Sequence, residues 1–210
     1  MSKIVGVIGW IGTGKDTVAD FLVNNFDYKR ESFAGTLKDA VAAVFGWSRE
    51  LVEGGTKEAR EWRETPDEWW SERLGMPGFT PRLALQLWGT EVCRNHFHND
   101  IWIASLENKL RHTSQDIVIS DVRFPNEVKT IKDSGGTLIW VKRGPLPDWY
   151  AYGKDAASGI KSGLKEMESR GIHASEWAWL NTKFDFVISN NGTLEELYQH
   201  LIDLKISNRL

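Results

Sequence analysis

Four short runs of β-branched and other apolar residues mark the strands that this chain predicts. They lie at residues 3–9, 115–120, 137–141 and 184–189. Between them, apolar residues recur three or four positions apart, as at Val18, Phe21 and Leu22, which is the spacing of an amphipathic helix. Strands that alternate with helices predict an α/β fold, namely a doubly wound, mostly parallel sheet with helices on both faces.

The segments between the strands predict six helices. These cover 15–25, 39–44, a helix from residue 81, 101–110, a helix from 125 to the glycine pair at 135, and 193–205. The last has the clearest start, because Thr193 and Glu196 form a capping box. Two further segments show only a weak period or few apolar residues. Residues 46–78 are polar and Trp-rich and suit an excursion over an active site, whereas 144–175, rich in Gly, Ala, Lys and Ser, suits a mobile lid.

Composition narrows the class of protein. A length of 210 residues fits one domain, and 41% hydrophobic with 26% charged residues is ordinary for a globular protein. The net charge of −3 favours neither nucleic acid nor a membrane surface as a partner. With Cys93 as the only cysteine, an internal disulfide and a cysteine metal cluster are excluded. No apolar run approaches the length of a membrane span, no signal peptide is evident, and we expect a cytoplasmic location.

A glycine-rich loop follows the first strand and fits the pattern G-x-x-x-x-G-K from Gly9 to Lys15, with Gly12, Thr13 and Gly14 in between. Glycines let the backbone curl so that successive N–H groups form an anion-binding nest, and the next helix points its positive end at the same place. Lys15 adds a full positive charge for the β- and γ-phosphates. The pattern predicts an ATP site in a P-loop NTPase-type domain spanning 1–210. A glycine turn with a surface lysine is the competing interpretation.

The residue after the lysine departs from the usual P-loop pattern. Ser or Thr normally stands there and binds Mg²⁺, whereas this chain has Asp16 followed by Thr17. A carboxylate is a suitable hard oxygen ligand for Mg²⁺, directly or through a water. We expect Asp16 or Thr17 at the metal, and the sequence leaves open which of them coordinates it.

A second acidic position follows the apolar run at 117–120. Asp121 ends this run as a Walker B carboxylate would, and the parallel sheet can bring it beside the P-loop as a metal ligand. Arg123, two residues later, can clamp a phosphate with its guanidinium. An Asp that only ends a strand is common, so the competing interpretation is a turn residue.

Six stretches resemble, in order, the deoxynucleoside monophosphate kinases of tailed bacteriophages. They are GWIGTGKDTVADFL, SFAGTLKDAV, PRLALQLWGTEVCRNHFHNDIW, SDVRFPNE, HASE and NNGTLEEL, and they extend over nearly the whole chain. The resemblance implies a nucleoside monophosphate kinase-like fold, ATP at Gly12 to Thr17, and a monophosphate held opposite. Asn190 stands where the loop that covers the adenine of ATP is expected. The residues that match the family's acceptor site are Lys38, Arg82, Gly89, Thr90, Trp102 and Arg123. From the residues alone, a helix end at Gly89 and a core position for Trp102 are equally good interpretations.

The activity that the resemblance implies is direct in-line transfer of the γ-phosphoryl group of Mg·ATP to a deoxynucleoside monophosphate. Lys15, Arg123 and Arg143 are the catalytic candidates, the last because it opens the lid-like segment. Another small-molecule P-loop kinase, similar to dephospho-coenzyme A kinase, and a non-catalytic ATP-binding regulatory module remain alternatives. We expect neither nucleic acid nor a membrane as a partner, and the sequence leaves open whether the chain forms a homodimer. A viral source, as the resemblance suggests, would place the protein in the cytoplasm of the host cell.

Overall fold

The computed structural model describes residues 2–207 and Leu210. In chain order the strands and α-helices are β1 (Ile4–Ile8), α1 (Lys15–Phe26), β2 (Lys29–Glu31), α2 (Gly35–Phe45), α3 (Arg49–Glu53), α4 (Lys57–Glu64), α5 (Glu68–Leu74), α6 (Pro81–Gln86), α7 (Ile101–Arg111), β3 (Ile117–Ile119), α8 (Pro125–Asp133), β4 (Thr137–Lys142), α9 (Tyr150–Ala157), α10 (Lys161–Ser169), β5 (Phe186–Ser189) and α11 (Leu194–Ile206). A π-helix (Leu87–Phe97) continues α6, and a 3₁₀ turn (Ala174–Glu176) follows α10.

The chain divides into two compact units. The first comprises the residues up to Ser32 together with those from Lys109 onward, and the second comprises Phe33–Asn108. The first unit carries the sheet and the glycine-rich loop. The second carries the Trp-rich segment and, except for Arg123, the residues that resemble an acceptor site.

A five-stranded sheet in the order β2-β3-β1-β4-β5 organises the first unit. All its pairings are parallel, with Val5 opposite Val118 on one side of β1 and Ile8 opposite Trp140 on the other. The predicted α/β fold with a parallel sheet is therefore confirmed, and so are the four predicted strands. The fifth strand, β2, was not predicted, since its Lys-Arg-Glu sequence has no apolar residue.

Apolar residues cover the sheet on both faces. On one face α1 and α11 contribute to a buried cluster with the strands, which includes Val18, Leu22, Val118, Val141 and Leu201. On the other face α8 approaches so closely that a Cβ at Gly6 would lie 2.6 Å from Cδ1 of Ile131 and 2.8 Å from Cδ2 of Leu138. The prediction of helices on both faces is confirmed, and glycine in β1 is what lets α8 come near.

The Trp-rich segment in the second unit folds into three short helices, α3 to α5. Each begins at a side-chain N-cap, provided by Ser48, Thr56 and Asp67. Its aromatic side chains pack around Val41 and Phe79, and the rings of Phe45 and Trp47 stack with centroids 4.5 Å apart. Trp47 and Trp70 therefore contribute to the core of the second unit, whereas Trp69 is 61% exposed. A role over the active site stays a prediction.

The lid-like segment 144–175 holds two helices, α9 and α10, that pack against each other as a hairpin. Gly163 faces the backbone of α9, because a Cβ there would lie 2.5 Å from the backbone nitrogen of Ala156 and 2.8 Å from the carbonyl oxygen of Tyr152. Met167 on α10 is buried. The segment is thus an ordered helical hairpin in this structure, and its service as a lid stays a prediction. Among the described residues, no helix is both long enough and apolar enough to span a membrane.

Candidate active site

The glycine-rich loop connects the end of β1 to the start of α1 in the first unit. Gly12 and Gly14 adopt φ values of 79° and 98°, which an L side chain rarely tolerates. Gly9 lies against the neighbouring strand, because a Cβ there would come within 2.5 Å of the carbonyl oxygen of Val141. These glycines are what allow the loop to curl at the carboxyl edge of the sheet, with its backbone N–H groups preceding the positive end of α1.

The two polar side chains of the loop are nearly enclosed. Thr13 and Lys15 have exposed fractions of 3% and 8%, and both donate to the carbonyl oxygen of Trp10, at 2.9 Å and 2.8 Å. Burial lowers the pKa of Lys15, and the guanidinium of Arg123 lowers it further, while Asp16 and Glu176 act in the opposite direction. A buried ammonium close to a second cation is a site where a polyanion would relieve the electrostatic strain.

Trp10 is held in an aromatic cluster formed by Trp140, Trp149, Tyr150 and Trp179, with ring centroids 5.4–6.1 Å from its own. Its indole Nε1 also donates to the carbonyl oxygen of Glu176 at 3.0 Å. Trp10 also supplies the carbonyl oxygen that Thr13 and Lys15 contact. The aromatic cluster around the Trp10 side chain therefore helps to hold the loop backbone in place. Trp149 and Tyr150 stand at the start of α9, so the helical hairpin is packed directly against the phosphate-binding loop.

Asn190, the residue after β5, reaches the loop from the far strand. Its side-chain Nδ2 donates to the carbonyl oxygen of Thr13 at 2.8 Å, and its backbone N–H donates to Lys142 at 2.7 Å. A Cβ at Gly14 would collide with the Asn190 amide. In this structure the side chain braces the P-loop, and the adenine-covering role expected from the resemblance stays a prediction.

A cluster of oxygen atoms lies beside the first turn of α1. The exposed carboxylate of Asp16 accepts a hydrogen bond of 3.1 Å from the hydroxyl of Ser120 and pairs with Arg30 of β2. The same guanidinium donates to Ser120 Oγ at 2.7 Å and to Asp20 at 2.8 Å. Thr17 and Asp121, the other two metal candidates, are half-buried. The described residues contain no group of three or more His, Cys, Asp or Glu side chains suited to a metal ion.

Arg123 is restrained at both ends. Its backbone N–H donates to the buried carboxylate of Glu127 at 2.7 Å, and its guanidinium Nη1 donates to Glu176 at 2.9 Å. Arg143, the third catalytic candidate, is exposed just after β4. The first unit therefore places Lys15 close to both Arg123 and Asp16 and leaves Arg143 at the surface. The catalytic and metal-binding roles of these residues stay predictions.

Apart from Arg123, the acceptor candidates lie in the second unit, where carboxylates pair with the two cations. Lys38 on α2 pairs with Glu53 at 2.5 Å, and Arg82 on α6 donates to Glu64 at 2.9 Å. Burial would raise the pKa of Glu53, but Lys38 and Arg49 outweigh it and hold that pKa below its ordinary value. Lys38 and Arg82 therefore lie on helices α2 and α6, and in this structure each of them is paired with a carboxylate.

The remaining acceptor candidates surround the π-helix. Gly89 does not end a helix, since α6 continues as the π-helix through it. A Cβ at Gly89 would lie 2.6 Å from Cδ2 of Leu37. Trp102, only 6% exposed, donates from Nε1 to the carbonyl oxygen of Gly89 at 2.9 Å, whereas Thr90 is exposed. Trp102 is a core residue in this structure, and base stacking by it stays a prediction.

Comparison with known proteins decides the family. A family model described as deoxynucleotide monophosphate kinase matches residues 77–148. A protein of Acanthamoeba polyphaga mimivirus, assigned as a deoxynucleotide monophosphate kinase, is 32% identical over 95% of this chain and 94% of its own length. This chain belongs to the deoxynucleotide monophosphate kinase family. A deoxynucleoside-5'-monophosphate kinase of Escherichia phage T5 is 28% identical over 64% of this chain and 73% of the phage protein.

Membership of this kinase family makes the protein an enzyme of the phosphotransferase class. Among solved structures, shikimate kinase from Aquifex aeolicus covers 98% of this chain and 97% of its own, with 12% identity and a TM-score of 0.43. The P-loop geometry and the relatives agree on a kinase.

Two residues that contact the candidate site, Arg30 and Glu176, have no recognisable pattern in the sequence. Arg30 belongs to an edge strand without an apolar residue, and no local pattern connects it to Asp16. Glu176 lies in the stretch HASE, which contributes to the family resemblance but whose chemistry was not assigned. Local sequence patterns do not indicate Arg30 or Glu176, because both contact residues that are distant in the sequence.

Proposed function

We propose that this protein transfers the γ-phosphoryl group of ATP to a deoxynucleoside monophosphate, giving the corresponding diphosphate and ADP. The observation that carries the proposal is the glycine-rich loop with its enclosed Lys15, found in a chain that resembles a viral deoxynucleotide monophosphate kinase over 95% of its length. Relatives named for this activity supply the substrate class.

The donor site in this proposal is built by Gly9, Gly12, Thr13, Gly14 and Lys15. The loop N–H groups and the start of α1 face the β- and γ-phosphates. Lys15 leaves the carbonyl oxygen of Trp10 and takes a phosphate oxygen in its place. Because the ammonium is already buried and desolvated, its attraction for phosphate is screened less than that of a surface lysine.

The oxygen cluster at Asp16 fits Mg²⁺. The carboxylate of Asp16 and the hydroxyl of Ser120, which lie 3.1 Å apart, are hard ligands, with Thr17 and Asp121 as the further candidates. Kinases of this kind bind Mg²⁺ through one or two protein groups together with the phosphates, so a larger carboxylate cluster is not required. When bound, Mg²⁺ supplies charge neutralisation for the transferred group. Arg30, which pairs with Asp16, holds that carboxylate in its orientation.

The transfer itself needs no covalent enzyme intermediate. An oxygen of the acceptor phosphate forms a bond to the γ-phosphorus while the bond from that phosphorus to the β–γ bridging oxygen breaks, and ADP leaves with the electron pair. Lys15 and Arg123 stabilise the charge on the transferred group, and Arg143 joins them if the segment 144–175 closes as a lid. Closure would also exclude water and so limit ATP hydrolysis.

The acceptor site is assigned to Lys38, Arg82, Gly89, Thr90, Trp102 and Arg123. Support comes from the charges of Lys38, Arg82 and Arg123. Lys38 and Arg82 can bind a phosphate oxygen when their carboxylate partners are displaced, and Arg123 can bind one while it keeps its contact with Glu176. Trp102 contributes from the core, because its indole holds the carbonyl of Gly89 in place. Since the relatives are viral, we place the reaction in the cytoplasm of an infected cell as part of the same proposal.

Release of ADP from Mg·ATP tests the proposal, with each deoxy- and ribonucleoside monophosphate and dephospho-coenzyme A as separate acceptors. We expect turnover with one or more deoxynucleoside monophosphates, little without an acceptor, and losses of at least about a hundredfold in Lys15→Ala and Arg123→Ala. Lys57→Ala, at a surface lysine of α4 whose side chain is 78% exposed, is the matched control. Stimulation by dephospho-coenzyme A alone, or by no acceptor, would refute the proposal.

A further inference from the structure

Glu176 connects the 3₁₀ turn after the helical hairpin, the side chain of Arg123 and the P-loop, all in the first unit. It ends the 3₁₀ turn Ala174–Glu176, which follows the helical hairpin. Its carboxylate accepts from Arg123 Nη1 at 2.9 Å, and its carbonyl oxygen accepts from Trp10 Nε1 at 3.0 Å. A single residue therefore contacts both the catalytic arginine candidate and the phosphate-binding loop.

The contact with Arg123 is more than a surface ion pair. The side chain of Glu176 is 23% exposed and that of Arg123 is 34% exposed, so solvent screens the pair only in part. Lys15 lies within electrostatic range of both side chains, attracted by the carboxylate of Glu176 and repelled by the guanidinium of Arg123. Glu176 therefore lies where it offsets the repulsion between the two cations that the transfer requires.

Positioning follows from the two restraints on Arg123. Glu127 holds its backbone N–H at 2.7 Å, which fixes where the side chain begins. An arginine side chain has several rotatable bonds, and repulsion from Lys15 would favour rotamers that point away from the loop. The carboxylate of Glu176 selects the rotamer that keeps the guanidinium near Lys15. The bond from Trp10 to the Glu176 carbonyl ties that carboxylate to the loop itself.

We infer that Glu176 is a positioning residue for phosphoryl transfer. Its carboxylate holds the guanidinium of Arg123 near Lys15, and its backbone carbonyl, bonded to Trp10, fixes Glu176 relative to the P-loop. The inference rests on the proposed function, because it assigns Glu176 to the same transfer. A group that orients a transition-state arginine changes turnover more than it changes the binding of ATP. Removal of the negative charge of Glu176 also leaves the site more positively charged. We therefore expect the binding of ATP before the transfer step to be unchanged or tighter.

The test compares Glu176→Gln with Glu166→Gln. Glutamine keeps the size of the side chain and removes its charge, so the fold is expected to survive. Glu166→Gln is the matched control, since it breaks a carboxylate–guanidinium pair of 2.8 Å with Arg170 on the surface of the same hairpin. We expect Glu176→Gln to lower kcat about tenfold to a hundredfold with KM for ATP unchanged or lower, and Glu166→Gln to leave both constants as in the wild type.

A double variant separates positioning from a general structural effect. If Glu176 acts through Arg123, Glu176→Gln causes no further loss of kcat in an Arg123→Ala background. An equal loss in both backgrounds, or a rise in KM for ATP without a fall in kcat, would overturn the inference. If the wild type is active and Glu176→Gln matches it, this inference alone fails. A wild type inactive with every monophosphate would overturn the proposed function as well.

Discussion

The role of Asn190 gives a prediction that separates two interpretations of the same residue. The resemblance places Asn190 in the loop that covers the adenine of ATP, whereas in the structure its side chain braces the P-loop backbone. Asn190→Ala removes the hydrogen bond of 2.8 Å from Nδ2 to the carbonyl oxygen of Thr13. A bracing residue would affect every nucleotide that uses the loop, and a base-covering residue would affect adenine nucleotides alone.

The size of the effect follows from the single bond that is lost. A hydrogen bond of this kind contributes about 1 kcal/mol net, which corresponds to about a fivefold change in an equilibrium constant. The backbone of Asn190 stays paired with Lys142, so the end of β5 is kept and the loss is confined to the loop. We therefore expect Asn190→Ala to bind non-hydrolysable ATP and GTP analogues each about fivefold more weakly than the wild type does.

Calorimetric titration of both analogues measures this change. Asn191→Ala is the matched control, because the side chain of Asn191 accepts from the N–H of Gly144 and donates to the hydroxyl of Ser189, and both partners lie outside the P-loop. We expect it to leave both affinities unchanged. Unaltered binding of both analogues by Asn190→Ala would refute the brace, and a loss restricted to the ATP analogue would favour the adenine-covering role instead.

Two further predictions concern stability. Burial would raise the pKa of Asp185, but Lys132 and the N–H of Leu138 (2.7 Å) outweigh it and hold the pKa below the ordinary 3.8. Its contribution is therefore present above pH about 4 and is lost as the pH falls through the folded-state pKa. Asp185→Asn should cost about 1 kcal/mol at pH 7, since the side chain is 39% exposed and partly screened, and less at pH 3; equal losses in melting temperature at both pH values would contradict this. Gly163→Ala should destabilise the hairpin by about 1–2 kcal/mol despite the better helix propensity of alanine, because the added Cβ meets the α9 backbone at 2.5 Å. Limited proteolysis within 144–175 measures this destabilisation, with Ser162→Ala as the control, and we expect faster cleavage of Gly163→Ala. Equal cleavage of the two variants would show that the hairpin is not packed in this way.

Much of the sheet could be predicted from the sequence, because its central strands are buried on both faces and read as continuous apolar runs. The edge strand β2 could not, since Lys29, Arg30 and Glu31 show neither alternation nor an apolar residue. Its place depends on pairing with β3 and on the contact of Arg30 with Asp16. Both are interactions between residues distant in the chain.

The short helices of the Trp-rich segment show a different limit. Helices α3 and α5 have five and seven residues, which is too few for a helical period to stand out. Their caps at Ser48 and Asp67 were present as local signals. The start of α2 at Gly35 was also missed, because glycine in a first turn reads as a break rather than as a helix.

The candidate site divides in the same way. The phosphate-binding loop could be predicted because its glycines, lysine and flanking elements are contiguous in the sequence. The brace at Asn190 and the contact of Glu176 with Arg123 span 177 and 53 positions, so no local pattern encodes them. Trp10 shows the same limit, since its position in the loop was evident and its enclosure by distant aromatic residues was not.

The most direct test of the central claim is the formation of a deoxynucleoside diphosphate from each deoxynucleoside monophosphate and Mg·ATP. We expect the wild type to form at least one diphosphate together with an equal amount of ADP, and Lys15→Ala to form almost none while it melts like the wild type. ATP binding without the formation of any deoxynucleoside diphosphate would contradict the assignment of these monophosphates as acceptors.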